Sequence, residues 1–118
     1  MGAPVAWFDI TTTDPGPLLD FYTELFGWAT ANSGADGYTL VDTGAGDGAI
    51  GGGIGATQSP DDPGSVTIYM KVDDLQAYLD KAEKLGGKTV MPPMDLPGEF
   101  GRFALFADPA GHTIGLWS

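Results

Sequence analysis

The 118 residues predict an α+β fold made of two copies of one βαβββ unit. Three observations carry the prediction. Shifted by sixty positions, the chain lies over itself, so that Phe8, Ile10, Asp14, Leu19, Leu25, Gly27, Ile54 and Gly55 meet Ile68, Met70, Asp74, Leu79, Leu85, Gly87, Ile114 and Gly115. Each copy opens with a strand-period segment followed by a helix-period segment. Short alternating stretches then follow, separated by glycine-rich turns.

The first strand is read from the alternation over Val5 to Thr12, which puts Phe8 and Ile10 on one face and Trp7, Asp9 and Thr11 on the other. Asp14 is placed to cap a helix over 15–26, where Pro15 suits the first position and Gly27 the stop. Its expected buried stripe is Leu18, Phe21, Tyr22 and Leu25. Strands are predicted near 28–32, 37–42 and 49–55, divided by Ser33-Gly34-Ala35-Asp36 and Gly44-Ala45-Gly46-Asp47-Gly48. Residues 56–64 lack periodicity, hold two prolines and read as the connector. The pattern restarts with Val66, Ile68, Met70 and Val72 inward and Thr67, Tyr69 and Lys71 outward. Asp74 caps a second helix with Leu75, Tyr78, Leu79, Ala82 and Leu85 as its stripe, up to Gly86-Gly87. Strands are expected at 88–91, 101–107 and 112–117, with Asp108-Pro109-Ala110-Gly111 as a tight turn. The segment 92–99 is read as an irregular loop with Met94, Leu96, Glu99, Phe100 and Arg102 as rim residues. Arg102 is expected to pair with Glu99 in preference to a ligand carboxylate.

Composition narrows the function. One ordinary domain is expected, with a first unit over about 4–55 and a second over about 65–117. Zero cysteines exclude disulfides, thiol chemistry and thiolate metal sites. Neither a leader-like N-terminus nor an apolar run of about 18 residues is found, so a soluble, cytoplasmic protein is expected. Five basic against 16 acidic residues give a formal charge of −11. That field disfavours nucleic acid and anionic membranes and favours a cationic ligand.

The motifs Trp7-Phe8-Asp9-Ile10, Phe21-Tyr22, Phe26-Gly27-Trp28 and Gly101-Arg102-Phe103, with Asp108-Pro109-Ala110-Gly111-His112 and the final Leu116-Trp117, occur in this order within the duplicated unit. Together they resemble the vicinal oxygen chelate superfamily, which includes glyoxalase I, extradiol dioxygenases and bleomycin-resistance proteins. The resemblance implies a cupped mixed sheet with the helices on its outer face, and a homodimer. It also implies where metal ligands would stand: Trp7, Thr67, Gly55 and Gly115. None of these supplies the nitrogen or oxygen donors that a divalent ion needs. His112, the lone histidine, reads as solvated or locally hydrogen-bonded. A displaced site using Asp9 and Glu99 is the remaining metal alternative.

Strand alternation lines the expected cup with Trp7, Asp9 and Thr11, with Thr67, Tyr69 and Lys71, and with Thr113, Gly115 and Trp117. Two indoles, a phenol, one acid and one base suit an organic ligand. The dull alternatives are ring packing for Trp7, Tyr69 and Trp117 and an Asp9–Lys71 ion pair. Gly51, Gly52, Gly53 and Gly55 lack the lysine of a phosphate loop and read as relief of crowding.

The resulting expectation is a metal-independent protein, without cofactor, that sequesters or carries a partly aromatic and cationic small molecule. Trp7, Asp9, Thr67, Tyr69, Lys71, Trp117, Arg102 and Glu99 are its candidate ligand-binding residues. The alternative is an enzyme. In one form it is a metal-free isomerase or lyase with Asp9 as general base and Lys71 or Tyr69 stabilising negative charge. In the other it is a glyoxalase-like or dioxygenase-like protein that keeps a displaced metal.

Overall fold

The structure, a computed structural model, describes residues 2–34, 37–44, 46, 49–96, 98 and 100–118. Among the described residues, ten elements follow one another in the order βαβββ, βαβββ. They are β1 (Val5–Thr12), α1 (Pro15–Phe26), β2 (Ala29–Asn32), β3 (Tyr38–Asp42), β4 (Gly51–Ala56), β5 (Val66–Lys71), α2 (Leu75–Lys84), β6 (Lys88–Asp95), β7 (Arg102–Ala107) and β8 (Thr113–Trp117). Among the described residues, no helix is long and apolar enough to cross a membrane.

The chain divides into two compact units, Trp7–Val66 and Thr67–Ser118, the second joined by the N-terminal residues through Ala6. The sequence suggested about 4–55 and 65–117, whereas the first unit starts at Trp7 and takes in the connector through Val66. The Lys71 amide donates to the Pro4 carbonyl at 2.9 Å, which ties the start of the chain to β5.

In the first unit the strand order is β2-β3-β4-β1, with β1 parallel to β4 and the other neighbours antiparallel. Ile10, Val41 and Ile54 form the buried core, with Phe8, Leu18, Leu19, Tyr22 and Trp28 packed against it. The α1 stripe is rotated from the expected one. Leu18, Leu19 and Tyr22 face the core, whereas Phe21 and Leu25 are 56% and 58% exposed. Trp28 explains the shift, because its indole stacks on Tyr22 at 5.5 Å and touches Phe8 and Phe26 at 5.4 and 5.2 Å. That stack sets Tyr22 on the core side and leaves Phe21 and Leu25 outward.

Asp14 is the N-cap of α1, yet its side chain makes no capping bond, while at the matching place Asp74 accepts from the Ala77 amide at 3.1 Å. The third helical residue decides this. It is Ala77 in α2 but Pro17 in α1, and proline has no N–H to give. Gly27 ends α1 in the left-handed conformation at φ 72°, with its N–H on the Thr23 carbonyl.

The connector returns along β1, where Thr11 and Ser65 exchange backbone hydrogen bonds of 2.9 and 3.2 Å. Gly64, at φ +93°, passes so close to Thr11 that a Cβ would strike its carbonyl.

In the second unit the order is β5-β8-β7-β6, with β5 parallel to β8. Val72, Leu75, Leu79, Ala104 and Leu116 form the core, backed by Met70 and Phe106, and α2 packs on β6 and β7. β6 extends to Asp95, so residues 92–95 belong to a strand and the irregular stretch is shorter than the expected 92–99. Pro92 and Pro93 are tolerated there because β6 is an outer strand and its register against β7 shifts between Thr89, Met91 and Met94.

Candidate functional site

In the first unit, backbone register brings three strands' outward residues together. Trp7, Asp9 and Thr11 of β1 lie opposite Gly51, Gly53 and Gly55 of β4, and Gly53 and Gly55 lie opposite Leu40 and Tyr38 of β3. The glycines leave a trough, and rings fill it. A Cβ on Gly51 would stand 3.1 Å from the Trp7 indole, one on Gly53 would collide with the Tyr38 hydroxyl, and one on Gly55 would come within 2.5 Å of the Tyr38 ring. On the opposite face Gly52 gives the same room to Phe8. The crowding expected from these glycines is therefore crowding by aromatic side chains.

Within the trough Trp7 Nε1 donates to the Tyr38 hydroxyl at 3.2 Å, and that hydroxyl donates to Asp9 Oδ1 at 2.7 Å. Desolvation pushes the Asp9 carboxyl above its ordinary range, and the Tyr38 hydrogen bond opposes the rise. The two groups that form this chain with Asp9 are both neutral. The result is a half-buried carboxyl held at one oxygen, with a basicity above that of a solvated aspartate.

In the second unit Tyr69 lies over Gly115, where a Cβ would collide with its ring, and the register pairs the same two residues. Lys71 Nζ stands 5.4 Å from the Trp117 ring centroid. The indole is pinned from its other end, because Nε1 donates to the Phe100 carbonyl at 2.6 Å. Phe103 is paired with Trp117 and Leu105 with Gly115 across β7 and β8, which places both on this face. All four of Tyr69, Phe103, Leu105 and Trp117 are partly exposed. Thr67 is buried at 8% exposure.

Trp7 and Asp9 are joined through Tyr38, and Tyr69, Lys71 and Trp117 share the face of the second unit. Arg102 Nε binds Asp95 Oδ1 at 3.0 Å, both side chains exposed. The partner expected for it, Glu99, lies outside the described residues, as do Ala35, Asp36, Ala45, Asp47 and Gly48 of the two predicted turns. Asp95 and Arg102 are register partners across β6 and β7, so the longer β6 supplies the acid. His112 Nδ1 lies 3.0 Å from Asp108 Oδ2 at the exposed turn. The His112 and Ala110 amides both donate to Asp108 Oδ1 at 2.9 Å. These bonds, the His112 amide foremost, hold the Asp108 carboxyl below the usual range.

The donor set at the places that the resemblance assigns to a metal does not fit one. Trp7 has an N–H committed to Tyr38, Gly55 and Gly115 have no donor and lie under phenol rings, and Thr67 offers a single neutral hydroxyl. No group of three or more His, Cys, Asp or Glu side chains is arranged to hold an ion among the described residues.

Tyr38 was missed by the sequence reading, as were Phe103 and Leu105. A signal existed for the first. Glycines recurring at every second position, 51, 53 and 55, mark a strand face that something bulky must cover, and Tyr38 opens the neighbouring strand.

The two βαβββ units define an α+β protein of duplicated construction, and the comparison with known proteins gives the family. Residues 5–116 match the Glyoxalase/Bleomycin resistance protein/Dioxygenase superfamily, and the chain belongs to it. It is 38% identical over 133 aligned positions to the anthracycline biosynthesis protein DnrV of Streptomyces peucetius, covering 98% of this chain and 46% of that protein. The chain thus spans about half the length of the curated relatives it matches. The same fold is seen in the Mn(II)-bound glyoxalase of Novosphingobium aromaticivorans, with TM-score 0.71 and 16% identity over 98% of this chain and 38% of that one. It is seen again in methylmalonyl-CoA epimerase of Mycobacterium tuberculosis, with TM-score 0.66 and 15% identity over 96% of this chain and 85% of that one.

Proposed function

We propose that the chain is a metal-independent member of its superfamily that binds a partly aromatic small molecule. The observation that carries this reading is the face of the second unit, where Tyr69, Phe103, Leu105 and the pinned Trp117 form a partly exposed apolar surface beside the Lys71 ammonium. Flat rings stack on such surfaces, and one or two polar groups at the margin orient them. The formal charge of −11 favours a ligand that carries positive charge. DnrV, by name a protein of anthracycline biosynthesis, supports the same class, since anthracyclines are fused aromatic ring systems. Aromatic covering of Gly55 and Gly115 supports independence from metal.

Titration with a fused-ring aromatic ammonium compound, followed by tryptophan emission, tests the reading. Saturable quenching that persists in a chelator and weakens in Trp117→Ala is expected. A flat titration, or a stoichiometric divalent ion in protein purified without chelator, overturns it.

A second reading is enzymatic, an isomerase or lyase with Asp9 as general base. It is favoured by one specific observation: the half-buried Asp9 carboxyl is raised by desolvation and oriented by Tyr38.

The chain is further proposed to work as a homodimer, with Phe21, Leu25 and Phe26 of α1, each more than half exposed, as the apolar surface a second copy covers. Sedimentation of wild type and of Leu25→Glu tests this. A wild-type monomer overturns it.

A further inference from the structure

We propose that Lys71 is the specificity-determining residue of the aromatic face of the second unit, and that it selects an aromatic carboxylate as the part of the ligand laid on that face. This rests on the binding reading and deepens it by naming the charge that the bound rings carry.

The Lys71 side chain leaves the sheet at a fixed point. Its own amide donates to the Pro4 carbonyl and the next amide, of Val72, to the Trp117 carbonyl, both at 2.9 Å, so the backbone is held on either side. Lys71 and Trp117 are also register partners, and Nζ stands 5.4 Å from the centroid of an indole whose Nε1 is tied to the Phe100 carbonyl. The indole attracts the ammonium through its π face and offers no lone pair to accept its hydrogens. An ammonium has three hydrogens to donate, and among the described residues no carboxylate or other side-chain acceptor takes one from Lys71.

The charge on this face has one sign. Cross-strand pairing puts Met94, Met91 and Lys88 of β6 beside Phe103, Leu105 and Ala107 of β7, on the same face as Trp117. Asp95 is the one carboxylate among the described residues of β5, β6, β7 and β8, and it lies on the reverse face, bonded to Arg102. The strand positions of the aromatic face thus carry Lys71 and Lys88 and no carboxylate, although the whole chain has a formal charge of −11.

Distance decides which charge a bound ring meets. At physiological ionic strength charges beyond about 8 Å are largely screened, whereas Lys71 stands at the margin of the surface on which the ring lies. A carboxylate on the ring edge meets that ammonium, and the ring shields one side of the pair from water. The positive charge that the chain as a whole favours then belongs to a part of the ligand outside the face.

Three probes of similar size test the selection: 2-naphthoate, the neutral 2-naphthamide and 2-naphthylmethylammonium. Each is titrated by calorimetry and by the Trp117 indole N–H resonance, which is assigned by its absence in Trp117→Ala. Wild type is expected to bind naphthoate about fivefold more tightly than either of the other two, the size of a partly exposed ion pair. Lys71→Met keeps an unbranched stem beside the indole, and circular dichroism verifies its fold. In that variant the lead of naphthoate is expected to vanish. If the probes bind but naphthoate is not the tightest in wild type, or keeps its lead in Lys71→Met, selection by Lys71 is wrong and the binding reading stands. If none of the three binds, both fail.

Discussion

Tyr38 lies across Gly53 so closely that a methyl group on that glycine would occupy the space of the tyrosine hydroxyl. Strand β4 has given up its side chains on one face to the ring of a neighbouring strand, and that ring holds Asp9.

Replacing Gly53 by Ala is expected to lower stability by about 1–3 kcal/mol, the range for overpacking. The ring must move, and the Asp9 bond goes with it. Thermal unfolding measures the loss, and loss of the Trp7 indole N–H shift in the NMR spectrum reports the broken chain. In the second unit Gly115→Ala is expected to destabilise similarly by striking Tyr69. A wild-type melting temperature in both variants would contradict the packing described.

Asp9→Asn is expected to stabilise the fold near neutral pH, by an amount that shrinks as the solution is acidified. Burial raises the Asp9 carboxyl, so the folded chain holds this proton more tightly than the unfolded one. The stability so contributed is present below the unfolded value and lost as pH rises through the folded one. Asparagine does not titrate and keeps an oxygen for Tyr38. Melting curves of variant and wild type at pH 4 and pH 7 give the comparison, and a difference independent of pH would refute it.

Asp108 has the opposite sign. Its carboxyl is lowered by the His112 and Ala110 bonds, so its contribution is present above the unfolded carboxylate value and lost as pH falls through the folded one. Asp108→Asn is expected to be less stable than wild type at neutral pH, with the gap closing in acid. Denaturant titrations across that range measure it.

The two helix caps give a coupling experiment. Asp74→Ala is expected to cost about 1 kcal/mol, the usual worth of a cap, while Asp14→Ala costs no more than a few tenths. In a Pro17→Ala background, where the third helical residue regains its amide, Asp14→Ala is expected to cost about 1 kcal/mol as well. Equal effects of Asp14→Ala in both backgrounds would remove proline as the reason for the silent cap.

The duplicated unit was legible because its strand and helix periods repeat at a fixed offset, and the α1 and α2 limits follow from Pro15, Gly27 and Asp74. The α1 face was misread because Phe21 and Leu25 satisfy the helical period as well as Leu18 and Tyr22 do. Only the stacking of Trp28 chooses between them. Proline misled at β6, where two adjacent prolines looked like a loop and are in fact carried by an irregular outer strand. At the candidate site, Trp7, Asp9, Tyr69, Lys71 and Trp117 could be placed on outward faces by alternation alone. Tyr38 could not be connected to Asp9, because the two are 29 residues apart and meet through β4, which pairs with both their strands.

Those two prolines have a consequence for the molecule in a crowded solution. β6 ends the strand order of its unit, and an outer strand with free amides invites another chain to add itself and begin a growing ribbon. Pro92 and Pro93 have no amide hydrogens to offer, and the broken register spoils the spacing that an incoming strand would need. This border is protected against fibre growth by its own irregularity.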